Sequence, residues 1–327
     1  MDWAQKRVLV TGAGGFIGSH LAEKLVKLGA QVTALVRYNS RGANGWLDVS
    51  EFRDNIEITA GDVTDPNCIK KVTSGKEVIF HLAALIGIPY SYHAPISYVR
   101  TNIEGTLNVM QGAMDAGAER VIHTSTSEVY GTAQSIPIKE NYPLQGQSPY
   151  SATKIGADKL VEAFQRSFEL PAVTVRPFNT YGPRQSLRAV IPTIISQCLA
   201  GNKVSLGHLS PTRDFNYVSD TAEGFIMCAE SEQAIGRTVN IGSGHEISIG
   251  DLAEKIADLM GVSVEIVSAA ERSRPEKSEV ERLYASNELA RELTGWTPRH
   301  SLTEGLEKTI TWMRENFDKR GVSGYVI

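Results

Sequence analysis

The chain has 327 residues, a formal net charge of −4, 42% hydrophobic and 21% charged residues. This length allows one large domain or two coupled ones, and the mild acidity gives no electrostatic case for nucleic acid or an anionic membrane as partner. Cys68, Cys198 and Cys228 lie far apart without metal-ligand spacing, no run of about 18 apolar residues exists to span a membrane, and glycine and threonine break the apolar start early, so a metal-free cytoplasmic protein is expected.

Arg7–Val10 is a short apolar, β-branched run read as a buried strand. It passes into Thr11-Gly12-Ala13-Gly14-Gly15-Phe16-Ile17-Gly18 and then into Ser19–Leu28, which has helical periodicity and is closed by Gly29. Strand, glycine turn and helix form the context that a dinucleotide fingerprint requires. Gly12 and Gly15 let the backbone approach a pyrophosphate at the helix N-terminus, beside Phe16 and Ile17, and Gly18 permits close helix–strand packing. A plain tight turn is the competing reading. The second strand, Gln31–Val36, ends where an NAD site usually carries a carboxylate for the ribose 2′-hydroxyl. Here Val36 is followed by Arg37, which favours a 2′-phosphate and hence NADP over NAD, unless Arg37 stacks on adenine or faces solvent.

Asn39–Phe52 reads as a long loop with a short helix. Ile56–Ala60 is a third strand with Gly61-Asp62-Val63 at its C-terminal end, where an adenine would lie. Val78–Leu82 is a fourth, followed by Ala83 and Ala84, small residues beside a cofactor. Ile96–Ala116 carries a long helical pattern in which Asn102 is most simply a satisfied buried polar group. Arg120–Ser125 is a fifth strand. The alternation predicts an α/β fold, a Rossmann-type doubly wound parallel sheet whose C-terminal strand edge binds ligands.

That edge delivers the stretch with the most chemistry: Thr126, Ser127 and Glu128, then Tyr150 and Lys154. On a helix Tyr150 and Lys154 share a face. An ammonium beside a phenol favours phenolate and lowers its pKa, making a general base. Thr126 holds the substrate oxygen, and Glu128, one strand repeat on, is a second acid/base. Taken singly, a Tyr-x-x-x-Lys spacing arises by accident and Glu128 reads as a solvated carboxylate.

The helix continues to about Phe168, and Ala172–Arg176 is a sixth strand. Pro177–Gln185, which includes Asn179, is a polar loop, with Arg184, Arg188 and Arg213 spaced through a region otherwise poor in charge. Aimed at one cleft they would grip a diphosphate in bidentate geometry; otherwise they are surface arginines. Phe215–Ala229 is predicted as a helix, Thr238–Ile241 as a strand, Ile247–Met260 as an amphipathic helix, Val264–Val267 as a strand, and Asn287–Thr294 and Leu302–Asn316 as helices. The expected division is residues 1–176 plus 215–242 for the dinucleotide and 177–214 plus 243–327 as a smaller substrate-binding domain.

The glycine fingerprint, His81–Ala84, Asn102, Tyr150/Lys154 and the Arg176–Arg184 run together resemble the extended short-chain dehydrogenase/reductase family, nucleotide-sugar epimerase/dehydratase branch. Arg37–Asp48, Thr124–Gln134, Pro143–Leu160, Phe178–Ile195, Pro211–Thr221 and Arg274–Leu283 are similar to NAD-dependent 4,6-dehydratases of the legionaminic-acid pathway. The resemblance implies tightly bound NAD or NADP held with the help of Leu82 and Asn102. It implies a UDP- or GDP-linked N-acetylhexosamine that Val190, Arg213 and Arg274 help to bind, and a 4-keto-6-deoxy product formed by transient oxidation at C4. It also implies homodimers packed through the helices around Asn102 and Tyr150. Dehydratases acting on dTDP-glucose usually read Thr-Asp-Glu where this chain reads Thr126-Ser127-Glu128, a run that resembles UDP-glucuronate decarboxylases. A 4-epimerase, a decarboxylase and a dehydratase stopping at the 5,6-alkene therefore stay open. A dinucleotide-sensing regulator ranks last, because such proteins typically lose the Tyr or Lys that this chain keeps.

Overall fold

The first half of the chain alternates strands and helices. The strands are β1 (Arg7–Thr11), β2 (Gln31–Arg37), β3 (Ile56–Gly61), β4 (Val78–His81), β5 (Arg120–Thr124) and β6 (Ala172–Pro177). The helices are α1 (Phe16–Lys27), α2 (Pro66–Thr73), α3 (Ile88–His93), α4 (Pro95–Tyr98), α5 (Gly105–Asp115) and α6 (Pro149–Phe168). The structure is a computed structural model and describes residues 1–269, 275 and 278–316. Its second half holds β7 (Asn179–Tyr181), α7 (Val190–Ala200), β8 (Lys203–Leu206), β9 (Thr212–Arg213), β10 (Phe215–Tyr217), α8 (Val218–Glu230), β11 (Thr238–Ile241), β12 (Ile247–Ser248), α9 (Ile249–Met260), β13 (Glu265–Ser268), α10 (Glu288–Thr294) and α11 (Leu302–Asn316).

Among the described residues, seven strands form one sheet in the order β3-β2-β1-β4-β5-β6-β11, every pair parallel. The Rossmann expectation is met. Strands such as Val78–His81 are buried along their whole length because helices cover both faces. The order reverses between β1 and β4, which opens the crevice where such sheets bind ligands. The Thr11 hydroxyl spans that reversal, accepting from Leu82 N and Ala83 N at 3.1 Å each and meeting His81 Nδ1 at 2.9 Å.

A second apolar cluster joins Ile191, Ile194 and Ile195 of α7 to Leu252 and Ile256 of α9 and to Leu306 and Ile310 of α11. Phe16 and Ile17 of α1 pack against it, so the glycine turn lies between this cluster and the sheet. No described helix is long and apolar enough to cross a membrane.

Three predicted elements differ. The pattern over Ile96–Ala116 is broken by a π-helical turn at Val99–Glu104 between α4 and α5. Asn102, within that turn, exchanges hydrogen bonds with the backbone of Leu85. Phe215–Tyr217 is a strand rather than the start of a helix, because its three buried residues pair in parallel with β7 and only Val218 begins α8. Ile247–Ser248 pairs with β9 before α9 begins, capped by Ser248. In each case a distant partner outweighs local propensity.

Candidate active site

A cavity of about 940 Å³ runs along the C-terminal edge of the sheet, between the glycine turn and the second apolar cluster. Gly12, Gly15, Phe16, Ile17, Gly18, Arg37, Asp62, Val63, Leu82, Ala83 and Ala84 lie on its wall. So do Thr126, Ser127, Glu128, Tyr150, Lys154, Asn179, Arg188, Val190 and Arg213. Arg274 lies outside the described residues.

At the dinucleotide end, Gly12 has φ +70°, and a Cβ there would stand 2.9 Å from Ala83 N. Gly15 precedes α1 as its N-cap and supplies no side-chain cap, and the first turn holds no acidic residue, so its N–H groups are open to an anion. The Thr124 hydroxyl, buried on the same wall, has no hydrogen-bond partner among the described residues. An uncapped helix start, a close-packed glycine turn and a buried orphan hydroxyl are features that a dinucleotide's pyrophosphate and ribose would satisfy, so these residues fit such a group. Arg37 is exposed at the end of β2. Asp62 Oδ1 accepts from Thr64 N and from its hydroxyl, both at 2.9 Å, which fixes the turn after β3.

The start of α6 has local causes. Ser148 and Ser151 form a reciprocal capping box and Pro149 occupies the first turn, where its missing N–H costs nothing. Tyr150 and Lys154 lie one turn apart and are buried. Thr126 caps a 3₁₀ turn over Ser127–Tyr130, its Oγ1 accepting from Glu128 N at 3.3 Å. The sequence reading placed Thr126 and Glu128 along a strand; the turn instead folds both toward Tyr150. The Thr126 hydroxyl and the half-buried Glu128 carboxylate both bear on the Tyr150 phenol, the first favouring its charged form and the second opposing it. The Tyr98 ring stands edge-on to Tyr150 at 6.3 Å.

The direction expected for Tyr150 is reversed. Burial pushes its phenol above the ordinary tyrosine range, outweighing the lowering effect of the Thr126 hydroxyl. The Lys154 ammonium donates to the Thr124 carbonyl at 2.6 Å. Burial lowers that ammonium to about 8, against the pull of Asp158.

Two further assignments are corrected. Asn102 is absent from the cavity wall; its amide donates to Leu85 O and to Thr153 Oγ1, each at 3.0 Å, and its Oδ1 accepts from Leu85 N at 2.8 Å. It clamps the loop after β4 to α6, and its polar atoms are used up in doing so. Arg184 also lies off the wall, 2.9 Å from Glu23 Oε1 and 3.2 Å from Ser19 Oγ on α1, a half-buried pairing that commits its charge. Arg213 is on the wall but buried against Glu279 at 2.9 Å. Arg188, exposed, stands beside Gly87 and acts by its charge on the Tyr98 phenol.

Sequence reasoning missed α7, whose N-terminus, also without a side-chain cap, opens at Val190 on this wall. No capping signal precedes it, only Ala189. Asn179, named from the sequence as a substrate residue, has a buried Oδ1 without a partner among the described residues on the same wall, as has the Oε1 of Gln185, which sequence reasoning missed; it also missed Asp158, whose spacing four residues after Lys154 was a legible sign.

Fold and cavity together define a Rossmann-type protein of the extended short-chain dehydrogenase/reductase class. The profile of the family described as GDP-mannose 4,6 dehydratase matches residues 9–309. The chain is 34% identical to a UDP-glucose 4-epimerase of Mycolicibacterium smegmatis over 94% of this chain and 98% of that one. It is 35% identical to a UDP-N-acetyl-alpha-D-glucosaminuronate decarboxylase of Bacillus cytotoxicus over 95% and 98%. The crystal structure of DesIV, a dTDP-glucose 4,6-dehydratase of Streptomyces venezuelae with NAD bound, superposes with a TM-score of 0.86 at 30% identity, covering 95% of this chain and 97% of that one. The chain belongs to this family of nucleotide-sugar dehydratases, epimerases and decarboxylases.

Proposed function

We propose that this protein is a nucleotide-sugar 4,6-dehydratase that turns a UDP- or GDP-linked N-acetylhexosamine into its 4-keto-6-deoxy form. The observation that carries the reading is the pairing of Tyr150 with a second acid/base, Glu128, and the Thr126 hydroxyl on one cavity wall. A 4-epimerase has no need of that carboxylate.

The glycine turn, the first turn of α1 and Thr124 would hold the dinucleotide, with Asp62 and Val63 near its adenine and Ala83 and Ala84 along its length. When bound it supplies a reversible hydride acceptor. Arg37 supports NADP, whereas the NAD in the DesIV structure supports NAD; titrating the protein with each decides between them. Tyr150 takes the proton of the sugar 4-hydroxyl while Thr126 orients that oxygen. A charged Lys154 favours the phenolate against the burial that opposes it. Glu128 removes the C5 proton, acidified by the neighbouring ketone, and Ser127 relays a proton to the departing C6 hydroxyl. Arg188, Asn179 and the start of α7 line the part of the cavity where the sugar nucleotide would lie, and Arg213 shapes its wall.

We assign residues 1–176 plus 215–242 to the dinucleotide and 177–214 plus 243–327 to the sugar nucleotide. Ile96, Val99 and Leu107 are 68%, 47% and 40% exposed on the helices beside α6, which supports a homodimer through that face; a monomer mass by light scattering would refute it.

Mass spectrometry of UDP-GlcNAc and GDP-GlcNAc incubated with the purified protein tests the reaction. Loss of one water with solvent deuterium at C5 supports it, and an isomer of unchanged mass makes the protein an epimerase. One observation favours a second reading, decarboxylation of a uronic sugar: the Arg188 guanidinium, on the cavity wall and acting on Tyr98, whose ring stands against Tyr150, is a cation suited to a sugar carboxylate. Loss of carbon dioxide from UDP-glucuronate would establish it.

A further inference from the structure

Tyr150, Lys154 and Asp158 follow one another at four-residue intervals on α6 and are all buried. Asp158 reaches β5 and β6. Its Oδ1 meets His123 Nε2 at 3.2 Å, and its Oδ2 accepts from Ser125 Oγ at 2.8 Å and from Arg176 Nε and Nη2 at 3.2 and 2.9 Å. Lys154 is anchored between His123 and Ser125, on the Thr124 carbonyl. The carboxylate is thus fastened to His123 and Ser125 and the ammonium to Thr124 between them, from successive turns of one helix.

We propose that Asp158 is a positioning residue for Lys154, its buried carboxylate keeping the ammonium charged and seated on Thr124 so that it can act on Tyr150. This rests on the Tyr150/Lys154 reading given above. The groups around the pair leave this role to Asp158. On α6 the ionisable neighbours are Tyr150 on the cavity side and Lys159, Glu162 and Arg166 on the outer side. From β5 and β4 come His123 and His81, which burial keeps neutral, His123 down to about 4. From β6 comes Arg176, a cation that opposes the charge on Lys154 and is itself neutralised by Asp158. Glu128, after β5, bears on Tyr150. The outer side of Asp158 faces a cavity of about 370 Å³ whose other charged lining groups include Glu140, Glu162, Arg166 and Arg237. Among the described residues, Asp158 is the one charge that counters burial at Lys154.

The test labels lysine Cε with ¹³C, identifies the Lys154 resonance by its loss in Lys154→Met, and follows its titration with no substrate present. In Asp158→Asn the midpoint is expected to fall by roughly one pH unit, the effect of losing a neighbouring opposite charge in a buried site. The basic limb of the kcat–pH profile moves to lower pH by the same amount, and Asp158→Glu restores part of both. Because a lone Arg176 cation endangers folding, the double variant Asp158→Asn/Arg176→Gln is made as well; it also removes a cation that opposes Lys154, so a smaller fall is expected there. A Lys154 midpoint unchanged in either variant overturns the proposal, whatever happens to turnover. A midpoint that falls in the variants, when the wild-type protein shows no dehydratase activity, leaves this inference standing and removes the reaction assigned above.

Discussion

Gly18→Ala tests whether the glycine turn is a dinucleotide cradle. A Cβ at Gly18 would lie 2.3 Å from Gly12 O and 2.9 Å from Ala13 Cα, both backbone atoms of the turn. Neither can swing aside, since Gly12 O already accepts the Gly15 N–H that closes the turn at 3.0 Å. Restoring normal contact requires α1 to retreat from the turn by roughly 1 Å. Overpacking of this kind costs about 1–3 kcal/mol, and such a shift carries the first-turn N–H groups out of hydrogen-bond geometry with anything the turn holds. The expected outcome is a Kd for NAD or NADP raised about 10- to 100-fold, each 1.4 kcal/mol being tenfold, with a melting temperature lower by a few degrees. Isothermal titration with each dinucleotide and a thermal melt measure the two. A variant that binds dinucleotide within about twofold of wild type would refute the assignment of this turn, whatever its melting temperature.

Tyr150→Phe should cut turnover by about 10²–10⁴-fold while dinucleotide titration still saturates; substantial residual activity would remove tyrosine from the base role. Glu128→Gln should still oxidise the sugar at C4, seen as nicotinamide absorbance, yet stop water loss and C5 deuterium uptake; normal product from that variant refutes the carboxylate's role. Arg184→Ala should lower the melting temperature by removing the contact of the loop after β7 with Glu23 and Ser19 of α1. It should leave KM for the sugar nucleotide unchanged, and a raised KM would return Arg184 to the substrate. His123 is held at about 4 by burial, against an ordinary 6.5. Between those values the unfolded chain binds the proton and the folded one does not, so stability falls as pH drops from about 6.5 toward 4, by at most about 3 kcal/mol. Denaturant melts should show this slope, and His123→Gln should flatten it; an equal slope in the variant would place the acid sensitivity elsewhere.

The sequence by itself determined what rests on short-range order. The apolar run Arg7–Thr11, the glycine turn and the periodic helix after it follow one another without a gap, so fingerprint and strand–turn–helix context were legible together. Tyr150 and Lys154 needed only the helical repeat to share a face, and alternating strands and helices sufficed for a parallel sheet. Tertiary structure alone decided which polar groups meet the cavity. Arg184 and Arg188 sit four residues apart in one loop, yet one is spent on α1 and the other faces the cavity, because Glu23 is more than 150 residues away along the chain and adjacent in space. Asn102 reads the same whether it touches a cofactor or clamps a loop; its partners Leu85 and Thr153 come from other elements. The direction of the Tyr150 shift depends on how deeply the packed domain buries the phenol, a sum over neighbours that spacing does not encode. Local geometry fixes which way a side chain leaves its own element, and only the assembled layers decide what it meets there.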